Sequence, residues 1–198
     1  MDIELNKAEF IKIYKDNINR EGSDKLLKWL ENSDFFSAPA SSKFHNAVEG
    51  GLCEHSLNVY KRALEIYELE QQKKSKLFDG ITKENLAVAT LLHDLCKVNF
   101  YKLSFKNAKV NGAWEQVPYY TVEDALPYGH GEKSVYIISG FMRLTRDEAM
   151  AINWHMGGFD KRVVGGDFSI SQAFEQYPFA TLVHVADIMA TYFDEERE

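Results

Sequence analysis

Leu91-Leu92-His93-Asp94-Leu95-Cys96-Lys97 sets a histidine beside an aspartate in a leucine run, with a lysine three residues further on. Two ligand-type polar residues buried among leucines cost free energy unless something partners them, and a metal ion is such a partner. Adjacent residues of a helix point about 100° apart. His93 and Asp94, on the helix, can therefore flank one ion while the carboxylate is free to bridge to a second. Lys97 shares that face. It is either a compact positive charge for a substrate phosphate or a surface lysine at a helix end. His184 and Asp187 lie one turn apart, and Asp187 sits in the apolar stretch Val185-Ala186-Asp187-Ile188-Met189, where an unpaired carboxylate is costly. All six histidines, His45, His55, His93, His130, His155 and His184, fall in or beside helical or glycine-flanked segments. That distribution suggests convergence.

Helices must position these residues. Apolar spacing of three and four predicts a helix over 3–19, and Ser23 can cap a second one carrying Leu26, Leu27, Trp29 and Leu30. A proline-containing loop follows at 35–45. Gly50-Gly51 then lets the backbone turn before a helix reaching about Glu70, with His55 in its first turns. Thr82 begins the helix that runs into His93-Asp94. The pattern then changes: Phe100 to Phe105 alternates, Asn111-Gly112 is a two-residue hairpin signal, and Trp114 to Tyr120 returns. The aromatic residues of this hairpin serve either as packing or as a lid that stacks on a base. Tyr128-Gly129-His130 opens a helix to about Arg143. Thr145 to Glu148 is a capping-box pattern ahead of Trp154-His155. The pairs Gly157-Gly158 and Gly165-Gly166 bracket a polar loop, and a last helix spans roughly Pro178 to Phe193.

With 198 residues, 45% hydrophobic and 27% charged, the chain suits one well-buried domain. No apolar run approaches a membrane span, and the acidic start Met1-Asp2-Ile3-Glu4 has no signal-peptide core. A cytoplasmic location is therefore expected. Cys53 and Cys96 are expected as reduced packing residues, with a disulfide or metal ligation as the alternative. The net charge of −7 argues against broad nucleic-acid binding, yet an ion can still attract a phosphate to an acidic protein.

His55, then Leu92-His93-Asp94-Leu95-Cys96-Lys97, then Asp187 resemble the H…HD…D signature of the HD-domain metal-dependent phosphohydrolase superfamily. Ala38-Pro39-Ala40, His45 and Gly50-Gly51-Leu52-Cys53-Glu54-His55-Ser56 are similar to the HD domain of YhaM-type 3′→5′ exoribonucleases, and Tyr128-Gly129-His130 and Trp154-His155 fall where that subgroup carries two further histidines. The resemblance implies a mostly α HD-domain helical bundle with a small inserted β-hairpin near residues 100–122. It implies a single domain over 1–198, with a helical lead at 1–35 and an HD core at 36–193. His55, His93, Asp94 and Asp187 would hold one divalent ion. Asp94 would bridge to a second, held further by His130 and His155. Such ions, Fe, Mn, Co, Ni or Zn by donor type, sit about 3.5–4 Å apart and activate a hydroxide. Asp94 and Lys97 would serve the reaction directly.

For some positions the residues leave alternatives open. His130 between glycines is a ligand or a turn residue. His155 beside Trp154 is a ligand or a packed residue. His184 is a ligand or a core residue behind one. His45 lines the cleft or anchors its loop. The expected function is hydrolysis of a phosphoester in a nucleotide or similar small phosphorylated substrate. Exonucleolytic trimming of single strands, HD-type di-iron oxygenation and non-catalytic nucleotide sensing, in which the metal site only binds, are the alternatives, and acidity disfavours a nucleic-acid partner. Oligomeric state is not legible.

Overall fold

The computed structural model describes residues 2–73 and 76–195. Helix α1 (Ile3–Asn17) is capped by the Asp2 carboxylate, which accepts from the Leu5 amide at 3.0 Å, and it buries Phe10 and Tyr14. Helix α2 (Ser23–Glu31) starts one residue earlier than the Ser23 cap predicts. Its cap is Gly22, at φ +90°, where a Cβ would lie 1.8 Å from the Phe141 carbonyl oxygen. Only glycine allows that approach. Helix α3 (Gly51–Gln72) buries Leu52, His55, Leu57, Val59 and Ala63 along one side.

Helix α4 (Lys83–Leu91) begins with a Thr82–Asn85 capping box and ends before the histidine–aspartate pair. The expectation that this helix carries His93 and Asp94 is therefore corrected. Leu92 to Asp94 form a turn, and Leu95–Lys97 make one 3-10 turn. The expected hairpin is present, with β1 (Tyr101–Val110) antiparallel to β2 (Ala113–Val122) in a register from Tyr101 opposite Val122 to Val110 opposite Ala113. Asn111 and Gly112 both have positive φ, 48° and 91°, as a type I′ turn requires.

Helix α5 (His130–Ser139) stops at Gly140, short of the expected Arg143. Helix α6 (Arg146–Trp154) has the predicted capping box from Thr145 to Glu148. The polar loop expected between Gly157 and Gly166 instead holds a 3-10 turn and the short α7 (Lys161–Val164), and α8 (Ser169–Gln176), not expected, follows it. Helix α9 (Pro178–Met189) passes into a π turn over Ala190–Asp194.

α3 packs on α4 and α9, α6 packs on α5, α4 and α9, and α1 covers α3 and α4. The core between them is leucine-rich: Leu52, Leu57, Leu86, Leu91, Leu92 and Leu95, closed by Phe179 and Val183. One polar network crosses it. Glu148, fully buried on α6, takes both amino groups of Arg20 at 2.8 Å and the Asn85 amide at 2.8 Å. That binds the N-terminal helices to α4 and α6. No helix among the described residues is long and apolar enough to cross a membrane.

Candidate metal centre

Five elements converge on one point. His55 comes from the second turn of α3, His93 and Asp94 from the turn after α4, His130 and His155 from the facing ends of α5 and α6, and Asp187 from α9. All six expected ligands are brought together. His55 Nε2 lies 3.1 Å from His93 Nε2 and 3.2 Å from Asp187 Oδ1. Asp94 sits in the middle. Its Oδ2 is 3.6 Å from His55 Nε2 and 3.5 Å from His93 Nε2, while its Oδ1 is 2.8 Å from His130 Nε2 and 3.5 Å from His155 Nε2. One carboxylate thus faces two groups of imidazoles, one per oxygen.

Backbone contacts decide which nitrogens are available. His93 Nδ1 donates to the Thr90 carbonyl and His155 Nδ1 to the Ile152 carbonyl, each at 2.7 Å. Their protons are held on Nδ1, and Nε2 is turned into the cluster as a lone pair. His155 Nε2 is buried without a hydrogen-bond partner. A buried unpaired nitrogen and several imidazole nitrogens facing each other fit a divalent cation, which supplies what neither solvent nor a neighbour does. The groups His55–His93–Asp94, His93–His155–Asp187 and Asp94–Cys96–His130 each have donor atoms close enough to share an ion.

The electrostatics follow from burial and charge. Burial pushes the Asp94 carboxyl up, but the Lys97 ammonium and the surrounding imidazoles outweigh it and hold the group well below the usual carboxylate range. Asp187 is lowered in the same way against His55. Burial alone would keep His55 neutral. The Glu195 and Asp187 carboxylates reverse this and raise it to about 10. Burial lowers His93 and His130, the latter despite its contact with Asp94.

Lys97 is buried, and its Nζ donates to Asp94 Oδ2 at 2.5 Å. The reading of Lys97 as a surface lysine is therefore set aside. Cys53 and Cys96 are free and buried. Burial pushes the Cys96 thiol up to about 12, although its Sγ lies 3.4 Å from the His130 ring.

His184 lies behind the cluster. Its Nδ1 donates to the His155 carbonyl at 2.6 Å, and its ring stacks on Phe174. Gly157, at φ +54°, makes room for it, since a Cβ there would come within 2.0 Å of the imidazole.

Glu195 is the residue that sequence reasoning missed. Its buried side chain accepts from His55 Nδ1 at 2.8 Å and His45 Nδ1 at 2.5 Å. Beside it, Asp194 takes a two-pronged contact from Arg62. His45 therefore both lines the cleft and anchors its loop, through Glu195.

The cluster forms the floor of a cavity of about 430 Å³ whose walls include Phe44, His45, Lys97, Tyr101, Phe159 and Tyr192. A larger open groove of about 800 Å³ between α2 and α6 touches none of these ligands, so size alone does not locate the site.

No curated protein and no solved structure matches the chain. The family model described as HD domain matches residues 52–192, a span that takes in every one of the six converging residues. The chain therefore belongs to the HD domain family, whose members are in general metal-dependent phosphohydrolases.

Proposed function

We propose that this protein hydrolyses a phosphoester of a nucleotide or similar small phosphorylated substrate at a two-ion centre. In that centre His55, His93, Asp94 and Asp187 hold one ion, and His130 and His155, with Asp94 bridging, hold the other. The observation that carries the reading is the Asp94 carboxylate, with one oxygen toward His55 and His93 and the other toward His130 and His155, on the floor of a cavity open to a ligand. Divalent ions bound there would supply an activated hydroxide and neutralise phosphoryl oxygen.

The chain's own groups do the rest. Lys97 keeps its proton, because Asp94 outweighs the burial that disfavours the charge. Of its three N–H groups, one is committed to Asp94, and the others are donors for a phosphoryl oxygen on which charge develops. Burial pushes the His45 imidazole below its usual value, against the pull of the Glu195 carboxylate. With Nδ1 bound to Glu195, its Nε2 is an acceptor atom at the cavity wall. Phe44, Tyr101, Phe159 and Tyr192 supply flat apolar surface for a base or similar ring.

The likeness of residues 38–56 to YhaM-type exoribonucleases supports a second reading, cleavage at the end of a single strand. The net charge of −7 weighs against it. Two free, buried cysteines support a reducing, cytoplasmic compartment. The Arg20–Glu148 link supports treating 1–198 as one domain in which the helical lead at 1–35 packs on the core at 36–193.

The test is elemental analysis together with phosphate release from Mn²⁺-loaded protein. The panel comprises nucleotides, cyclic nucleotides and short oligomers, with Asp94→Asn alongside. Two ions per chain and hydrolysis lost in a folded Asp94→Asn protein are expected. Full activity in that variant would sink the mechanism. Oxygen uptake by the iron-loaded protein without phosphate release would move the assignment to an oxygenase.

A further inference from the structure

The β1–β2 hairpin has two unlike faces. Pairing places Tyr101, Leu103, Phe105, Asn107 and Lys109 on one face together with Val122, Tyr120, Pro118, Gln116 and Trp114. Most of these are apolar, and four of them are bare: Trp114 is 74% exposed, Phe105 58%, Val122 56% and Leu103 53%. Lys102 and Lys106 lie on the opposite face, where Lys106 sits over the Tyr119 ring.

A lone two-stranded hairpin is marginal in water and needs a third layer against its apolar side. With side chains of about 150–250 Å² for the aromatic residues, those four residues leave on the order of 500 Å² uncovered, the scale at which a patch is a contact surface. Pro118 and Tyr120 extend it toward the ~800 Å² per partner of a standard interface.

The edges of the hairpin are guarded while the face is not. β1 carries Lys102, Lys106 and Lys109, and β2 carries Pro118. Such residues discourage another strand from adding at an edge. The remaining way to cover the hairpin is face to face, at the ~10 Å spacing of packed sheets. A single-stranded polyanion would require cations beside the aromatic residues. Here two of the three lysines are on the other side, and Lys109, opposite Trp114, is the one lysine of the hairpin on this face.

We propose that this face is the interface of a homodimer, in which the hairpins of two copies stack their apolar faces about a two-fold axis. A self-complementary patch closes in that way, with Phe105 and Trp114 as its anchors. Because Tyr101 begins this face and also lines the cavity, the second copy would stand beside the mouth of the site. The inference does not depend on the reaction proposed above.

The experiment is sedimentation of the full chain over a wide concentration range, with Phe105→Ser, Trp114→Ser and Lys106→Ala. Both aromatic side chains are exposed in the single chain, so circular dichroism should be unchanged in all three. The wild type and Lys106→Ala are expected to sediment as dimers, and each aromatic variant should weaken association at least about tenfold. A wild type that stays monomeric at every concentration overturns the proposal, as does a dimer that neither aromatic substitution weakens. A monomer whose Trp114 fluorescence responds to oligouridylate or to anionic vesicles overturns it in favour of that occupant.

Discussion

Replacing Glu195 probes whether the metal centre is held from behind as well as from its ligands. Its two oxygens take one imidazole each, His55 Nδ1 at 2.8 Å and His45 Nδ1 at 2.5 Å, and the Asn58 amide approaches at 3.4 Å. Glu195→Ala leaves both N–H groups without an acceptor and frees the His55 ring to rotate. Loss of such an outer partner typically weakens metal binding 10–100-fold, equivalent to about 1.4–2.8 kcal/mol. Glu195→Gln keeps one oxygen, enough for one imidazole only, so its affinity should fall between wild type and alanine. The assay is calorimetric titration of stripped protein with Mn²⁺, with elemental analysis of the reloaded protein and circular dichroism as the fold control. An alanine variant that is folded and binds Mn²⁺ with wild-type affinity would refute the reasoning, because the distances would then carry no energetic weight at the ligand.

Two other perturbations reach the site through packing. Gly157→Ala incurs about 1–2 kcal/mol for a left-handed alanine, and its Cβ displaces His184 from the His155 carbonyl. Removing the imidazole in a Gly157→Ala/His184→Ala pair should recover part of the loss, and strictly additive urea midpoints would contradict the contact. Arg20→Ala strips the fully buried Glu148 of its cation. It should cost about 3–5 kcal/mol in equilibrium unfolding, with partial rescue by adding Glu148→Gln. A loss below 1 kcal/mol would show that solvent already screens the pair.

Much of this arrangement is legible in residue types. The helix start at Thr82, the capping box at Thr145 and the turn at Asn111-Gly112 are local chemistry, and they fall where local chemistry puts them. Apolar company marks His93, Asp94 and Asp187 as polar residues in need of partners, whereas His55, His130 and His155 are legible through the resemblance to HD-domain proteins. What escapes is non-local or conformational. Nothing in Leu91 to Asp94 announces that α4 stops at Leu91, since leucine, histidine and aspartate all tolerate the turn. α8 is hidden in a stretch that glycines make look irregular. Gly22 caps α2 only because the Phe141 carbonyl presses against it. Glu195 lies in the acidic run Asp194 to Glu198, which reads as solvated chain. Its burial depends on the π turn that brings it back over His45 and His55. Of the hairpin aromatics, Phe105 and Trp114 are uncovered within the single chain, while Tyr101, Tyr119 and Tyr120 are half-buried.

The span of the donor set has a consequence for biosynthesis. His55 and Glu195 meet across 140 residues. A ribosome adding about 5–20 residues per second makes the histidine roughly 7–28 s before the carboxylate that orients it. Asp187 too is translated after every histidine of the cluster. Throughout that interval the donor set is incomplete, and an ion bound then would lack both Asp187 and the Glu195 carboxylate behind His55.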